Sequence, residues 1–296
     1  MGIWPNFYIV GAAKCGTNSL YEHLKKHPQV FFPKIKEPHY FVNRPPRFRD
    51  AKDEKRDIRC CGDAEKYQKL YDEASGKVAV GDASVSYLWD PTAPQRIYEA
   101  CPSARIIIIL RDPVIRAHSH YLNSRREQVE PESSFLKALR LELLQQEIDW
   151  FTSRLYISAG LYYEQIDRFL RIFGKDQVLI LSFEDLRREP QELFARTSRH
   201  LGIDPGLLEQ ASLERAYNIY SVPRFSLVRV ARRAGLRGAV LPVSVQKRLR
   251  PLLFQTKKPH IDNESRQFLQ KIFDPDITHL EALLGRTMPD LRKSWV

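Results

Sequence analysis

Near the amino end, the run Phe7-Tyr8-Ile9-Val10 passes directly into Gly11-Ala12-Ala13-Lys14-Cys15-Gly16-Thr17-Asn18-Ser19-Leu20. An apolar strand, a glycine-bearing loop and a helix start, in that order, aim backbone N–H groups and the positive end of a helix at one point. That arrangement suits a phosphate. Gly11 and Gly16 permit close backbone approach, Thr17 offers a hydroxyl and Lys14 a mobile point charge. A Walker A loop places its lysine after the second glycine and follows it with Ser or Thr for magnesium. Here Lys14 precedes Gly16. The order points to a phosphate site without the magnesium–nucleotide arrangement; a plain strand–helix turn with an incidental lysine is the alternative.

A second group begins where Ile106-Ile107-Ile108-Ile109-Leu110 ends, in Arg111-Asp112-Pro113-Val114-Ile115-Arg116-Ala117-His118-Ser119. Arg111 falls at the carboxyl edge of a buried strand, the edge that lines the ligand crevice in open α/β sheets. Asp112 reads as a helix N-cap and Pro113 as the first helical residue. Ser119 then lies about two turns along, where it can turn back to share one phosphate with Arg111. Against this stands a simple Arg111–carboxylate pair with Ser119 as a packing residue. A third group, Pro33-Lys34-Ile35-Lys36-Glu37-Pro38-His39-Tyr40-Phe41, sets two lysines, an acid and an imidazole within six residues. A glutamate at a strand edge can act as general base toward a hydroxyl. Pro38 is expected to hold the Glu37 backbone extended. A solvated charged loop, with Glu37 paired to Lys34 or Lys36, is the competing expectation.

These groups must hang on a scaffold. Short apolar, β-branched runs at 7–10, 30–32, 78–80, 105–110 and 178–181 read as strands buried on both faces of a parallel sheet. Helical patterns at 19–26, 93–100, 114–126, 135–150, 162–173 and 191–201 alternate with them. Strand–helix alternation predicts a doubly wound α/β sheet. Residues 44–63 are expected to form a polar surface excursion and 213–259 to be irregular apart from one short helix.

The 296 residues suffice for one large α/β domain or two small ones, and 43% hydrophobic with 28% charged residues excludes a disordered chain. No apolar stretch approaches the roughly 18 residues of a membrane span, and the amino end lacks a basic leader. Cys15, Cys60, Cys61 and Cys101 contain no CxxC pair, which argues for reduced thiols rather than a zinc site or a disulfide framework. Lys and Arg exceed Asp and Glu by 47 to 36, a net +11. Ten basic side chains and no acid lie between Arg224 and Lys258, so nearly all of the excess is local. A local strip implies an anionic partner there: a charged or lipid-linked acceptor, or simply a solvated helix face carrying Arg229, Arg233 and Arg237. Nucleic acid is not expected, because no nucleic-acid motif accompanies the strip and aromatics in it are sparse.

Taken together, the stretches resemble the sulfotransferases that use 3′-phosphoadenosine 5′-phosphosulfate (PAPS), in the branch containing heparan sulfate sulfotransferases and related bacterial enzymes. Gly11–Leu20, Lys36-Glu37-Pro38-His39-Tyr40-Phe41, Gly81-Asp82-Ala83-Ser84-Val85-Ser86-Tyr87-Leu88, Arg111 to Ser119 and Val178-Leu179-Ile180-Leu181-Ser182-Phe183-Glu184-Asp185-Leu186 follow the family's order. Gln255-Thr256-Lys257-Lys258-Pro259-His260 resembles its cofactor-covering loop. The resemblance implies one domain over 1–296, a P-loop-like three-layer α/β fold with a central parallel sheet flanked by helices, PAPS as sulfate donor and no metal. It implies that Lys14, Cys15, Gly16, Thr17 and Asn18 form the 5′-phosphosulfate loop, that Arg111 and Ser119 hold the 3′-phosphate, and that Lys257 and Lys258 close over the donor. Glu37 is then the base, Lys14 meets the bridging oxygen, and His39 is the base's neighbour in the acceptor cleft. A hydroxyl acceptor, carbohydrate first, and a cytoplasmic enzyme follow. Two departures weaken heparan-type specificity: Asp82-Ala83 stands where that branch has Glu-Lys, and Val42 where it often has Asp. Asn18 replaces a frequent threonine. The alternatives are another nucleotide-dependent phosphate-transferring enzyme or a non-catalytic basic binding protein for nucleotides or nucleic acid.

Overall fold

The computed structural model describes residues 2–43, 63–127, 129–146, 148, 150, 154–207, 222–223, 254–255 and 259–295. Cys60, Cys61, most of the excursion at 44–63, Lys257, Lys258 and nearly all of the basic strip lie outside the described residues.

Five parallel strands form the centre: β1 (Phe7–Gly11), β2 (Val30–Phe31), β3 (Ala79–Asp82), β4 (Arg105–Leu110) and β5 (Val178–Ser182), in the order β2-β3-β1-β4-β5. Helices flank them: α1 (Thr17–Leu24), α2 (Ala64–Lys69), α3 (Ala93–Ala100), α4 (Pro113–Arg126), α5 (Phe135–Leu143), α6 (Tyr162–Phe173), α7 (Phe183–Arg188), α8 (Pro190–Leu201) and α9 (Asn263–Leu284). The α/β fold with a central parallel sheet is the one expected. Ile106 to Leu110 are all 0% exposed, which accounts for the unbroken apolar run in β4. Burying each of those side chains contributes about 1.5–3 kcal/mol.

The strand order fixes where chemistry can happen. From β1 the chain goes out to β2 and back to β3 on one side, then crosses to β4 and β5 on the other. The direction of winding reverses between β1 and β4, so the crevice for a ligand opens beyond their carboxyl ends. β1 and β4 pair through Ile9 opposite Ile107, and the Ala12 N–H donates to the Ile109 carbonyl at 2.9 Å. The loops carrying Lys14 and Arg111 therefore leave the sheet side by side.

Several elements differ from the expected ones: α1 begins and ends two residues early, and α2 was not expected at all. α5 stops at Leu143 rather than at Trp150. There the buried Glu142 carboxylate accepts the N–H groups of Tyr156, Ile157 and Ser158, so the acid serves a loop and Leu144 becomes surface. α9 was not legible because Pro275 lies inside it, yet Ser265, Leu269, Phe273, Ile277 and Leu280 make one buried stripe. Beside that proline, the Asp276 carboxylate accepts the Tyr162 and Tyr163 N–H groups and so caps α6. β3 runs on to Asp82, two residues past its expected end.

By internal packing the chain divides into two units, Met1–Arg215 with Asn263–Val296, and Ala216–Asp262. In the second, β6 (Val222–Pro223) pairs antiparallel with β7 (Phe254–Gln255). Among the described residues no helix is long and apolar enough to cross a membrane.

His200 on α8 lies against β4, with Nε2 3.2 Å from the Ile106 carbonyl. Burial, with the charge of Arg105, pulls its pKa down to about 4. The folded state thus favours the neutral ring, and its stabilisation is present above the unfolded pKa of about 6.5 and lost as pH falls toward 4. Between those limits His200 adds a slope of about 1.4 kcal/mol per pH unit. The loss of thermal stability between pH 7 and pH 5 should therefore be smaller in His200→Gln than in wild type. Parallel melting curves for the two proteins would remove His200 from the acid response.

Candidate active site

α1 opens on Gly16, whose φ of +95° suits glycine, and no side chain caps the helix. A Cβ on Gly16 would come within 2.8 Å of the Phe183 ring and 3.0 Å of Leu186, so packing as well as dihedral angle demands glycine. The same Phe183 ring carries the Arg111 guanidinium at 4.2 Å, and Arg111 Nη1 donates to the Lys14 carbonyl at 3.3 Å. Arg111 is thus held on an aromatic face and a carbonyl. Asp112 is the N-cap of α4, as expected: Oδ1 accepts the Val114 and Ile115 N–H groups, and Oδ2 accepts that of Ser294. Ser119 lies half-buried on α4, two turns from its start. Arg116, fully buried, donates to the Leu155 and Tyr156 carbonyls. Burial, with the charges of Arg116 and Lys14, pushes His120 down to about 3. Positive potential therefore concentrates where the first loop meets α4.

Cys15, expected in the phosphosulfate loop, packs its side chain inward. The thiol is fully buried, 3.5 Å from the Tyr162 hydroxyl, and that hydroxyl donates to the Arg111 carbonyl at 2.9 Å. Burial pushes the thiol pKa up. Thr17 is 6% exposed at the first position of α1, and Asn18 is half-buried with Oδ1 accepting from Lys36 Nζ.

That last contact joins the first loop to the third group. Lys36 Nζ also lies 3.6 Å from Glu37 Oε1, and His39 Nε2 lies 3.5 Å from Glu37 Oε2. Glu37 is not extended as Pro38 led one to expect: its φ is +56°, and that of His39 is +54°. With Lys14 at +69°, these are the non-glycine residues at positive φ among the described residues. Such strain costs on the order of 1–3 kcal/mol per residue and persists only where surroundings hold it. The surroundings here are β3 and its loop. The His39 N–H donates to Ser84 Oγ at 3.1 Å, and His39 Nδ1 shares a 2.5 Å hydrogen bond with Ser86 Oγ. Ser84 in turn donates to Asp82 Oδ1 at 2.6 Å, while Tyr67 and Tyr87 donate to Oδ2 at 2.7 and 2.8 Å. Burial pushes the Asp82 carboxyl up, against the pull of those three hydroxyls.

Burial also acts to raise Glu37, but the hydrogen bond and charge of His39, with those of Lys36, prevail and leave it below the usual carboxylate value. Lys34 is engaged elsewhere, 2.8 Å from Glu73. The result is an ionised carboxylate, 29% exposed and beside an imidazole that is 6% exposed, linked through Lys36 to Asn18 at the start of α1. The Asp82–Ser84–Ser86 support was not recognised as such in the sequence. Its signal was a Ser-x-Ser pair two residues beyond a strand-terminal aspartate.

A family model described as the sulfotransferase domain matches residues 5–287. The chain belongs to that family. The expected resemblance is thereby met, and the chain is similar to several members of that family. It is 27% identical over 261 residues to carbohydrate sulfotransferase 15 of Mus musculus, covering 71% of this chain and 46% of the relative. It is 22% identical over 284 residues to heparan sulfate glucosamine 3-O-sulfotransferase 5 of Mus musculus, covering 96% of this chain and 73% of the relative. The chain therefore spans less than half the length of the first of these relatives. A sulfotransferase crystal structure from Alicyclobacillus acidocaldarius is similar throughout, with a TM-score of 0.73, 32% identity and coverage of 98% and 99% of the two chains.

Proposed function

We propose that the chain transfers a sulfuryl group from PAPS to a hydroxyl of a carbohydrate acceptor, with Glu37 as general base, within one domain formed by the whole chain. The observation that carries this reading is the Lys36 bridge: it sets the Glu37–His39 pair against Asn18 of the anion loop. Family membership and the names of the relatives support sulfuryl transfer and a carbohydrate acceptor. The ten basic side chains between Arg224 and Lys258 favour an acceptor that is itself anionic.

The residues present suit the donor. A helix start without a side-chain cap and a lysine at its loop fit a 5′-phosphate, and a platform-mounted arginine with Ser119 on the next helix fits a 3′-phosphate. The donor supplies an activated sulfuryl group on a phosphate leaving group. Glu37 accepts the acceptor hydroxyl's proton, and His39 orients the carboxylate from a ring fixed by Ser86. Lys14 faces the charge growing on the bridging oxygen. Arg111 and Ser119 distinguish this donor from ATP, which lacks the 3′-phosphate. Most of the rate then comes from in-line positioning and charge stabilisation, as in phosphoryl transfer.

Labelled sulfate should pass from PAPS to at least one member of a panel of desulfated polysaccharides, and 3′,5′-bisphosphoadenosine should raise the melting temperature more than ATP or an oligonucleotide does. Stronger stabilisation by ATP, with no transfer from PAPS, would replace this reading with the phosphate-transferring one.

Arg111→Ala should weaken bisphosphoadenosine binding at least about tenfold, since each charge-assisted hydrogen bond is worth roughly 1.5–3 kcal/mol. The loss should shrink sharply for adenosine 5′-phosphate. Equal losses with both ligands would move Arg111 away from the 3′-phosphate.

A further inference from the structure

Lys36 is the cation that touches both halves of the site. Its Nζ donates to Asn18 Oδ1 in the loop after β1, lies 3.6 Å from Glu37 Oε1 and sits over the Tyr21 ring at 5.0 Å. Its side chain is 30% exposed, so it is neither sealed in the core nor freely solvated. An ammonium only donates, so the Asn18 amide must present its oxygen to Lys36. The Asn18 NH₂ is thereby left as a donor for whatever the loop binds.

An in-line transfer requires the moving group to pass between the leaving phosphate and the base-activated hydroxyl. The first is assigned to the loop containing Asn18 and the second to Glu37. Lys36 bridges those two residues. We propose that Lys36 is a further catalytic residue, contacting the sulfuryl oxygens of the donor as the group passes from the leaving phosphate to the acceptor hydroxyl. This rests on the sulfotransferase reading above. In the unliganded arrangement Lys36 is shared between an amide oxygen and a carboxylate. A bound sulfuryl group offers it a stronger acceptor, and Glu37 then keeps only the His39 ring of the two groups set against it. Departure of Lys36 from Glu37 makes the carboxylate a better base at the moment the donor is in place.

Lys36 therefore discriminates between a donor that carries the sulfuryl group and a product that does not. The test is equilibrium binding of PAPS and of 3′,5′-bisphosphoadenosine to wild type, Lys36→Met and Lys36→Arg, each checked for an unchanged melting temperature. Lys36→Met should weaken PAPS binding about tenfold to a hundredfold, the worth of one charge-assisted contact, and bisphosphoadenosine binding less than about threefold. Lys36→Arg should restore part of the PAPS affinity. In single-turnover transfer the Lys36→Met rate at saturating PAPS should also fall. Equal weakening of both ligands would reduce Lys36 to a support for the loop, and unchanged PAPS binding would remove it from the site; either overturns the proposal. Should Lys36→Met melt early, the Lys36→Arg pair of affinities decides in the same way. Failure of wild type to bind PAPS at all would instead refute the sulfotransferase reading itself.

Discussion

Replacing Glu37 with glutamine is expected to lower sulfuryl transfer by about 10²–10⁴-fold, the usual contribution of a general base, with little change in donor affinity. Glutamine keeps the length of the side chain and one carbonyl oxygen for Lys36 or His39, but cannot take a proton. The fold should survive, because the side chain is 29% exposed and is held by two side-chain partners on its own loop. A pH profile adds an independent readout. A general base must be ionised, so activity is expected to be lost as pH falls through the Glu37 pKa. Burial acts to raise that pKa, and His39 and Lys36 together leave it below the ordinary value. The acid limb of kcat/KM should consequently lie below the normal range for glutamate, and His39→Ala should move it upward. Near-wild-type transfer by Glu37→Gln, measured by single turnover beside donor affinity on one preparation, would take the base away from Glu37 and make His39 the next candidate.

The strands and most helices were legible because a parallel sheet leaves a strong local signature. Five short β-branched runs can be buried on both faces only by such a sheet, and β4 is the extreme case. The strand–loop–helix from Phe7 to Leu24 was legible for a similar reason: strand, glycine and helix are contiguous. Glu37 and His39 were legible as chemistry but not as geometry. The local rule that Pro38 enforces extended backbone at Glu37 loses to Ser84 and Ser86, which lie 45 and 47 residues from His39 in sequence. The surroundings of the Cys15 side chain were hidden on the same ground. Loop position suggested a ligand contact, while the partner that turns the thiol inward, Tyr162, is 147 residues away. Phe183 escaped notice because an aromatic after a strand looks like core, yet it closes the back of Gly16 and carries Arg111. Long-range partners decide what a short motif does, and periodicity does not report them.

Lys14 is the residue whose loss should separate catalysis from binding most cleanly. Lys14→Met is expected to reduce the transfer rate by about 10²–10³-fold, the usual cost of removing one preorganised group that stabilises transition-state charge. The affinity for bisphosphoadenosine should fall much less, because the charge on the bridging oxygen develops only as the sulfuryl group departs. Methionine preserves the apolar stem and faces the same +69° φ penalty that lysine already bears, so the substitution adds no new backbone strain. The loop is held independently of the Lys14 ammonium: the Arg111 guanidinium grips the Lys14 carbonyl, and the Cys15 N–H donates to the Ala12 carbonyl at 3.2 Å. The Lys14 charge also helps push His120 down to about 3, so its removal should let the His120 pKa rise. That change is readable by NMR titration of the ring without any acceptor or donor present. Arginine at this position should rescue poorly, since a planar fork cannot follow a single oxygen as an ammonium on a flexible stem does. If Lys14→Met keeps its turnover and loses only affinity, Lys14 is a binding residue, and the leaving-group charge must be met by Lys36 or by the backbone N–H groups at the start of α1 instead.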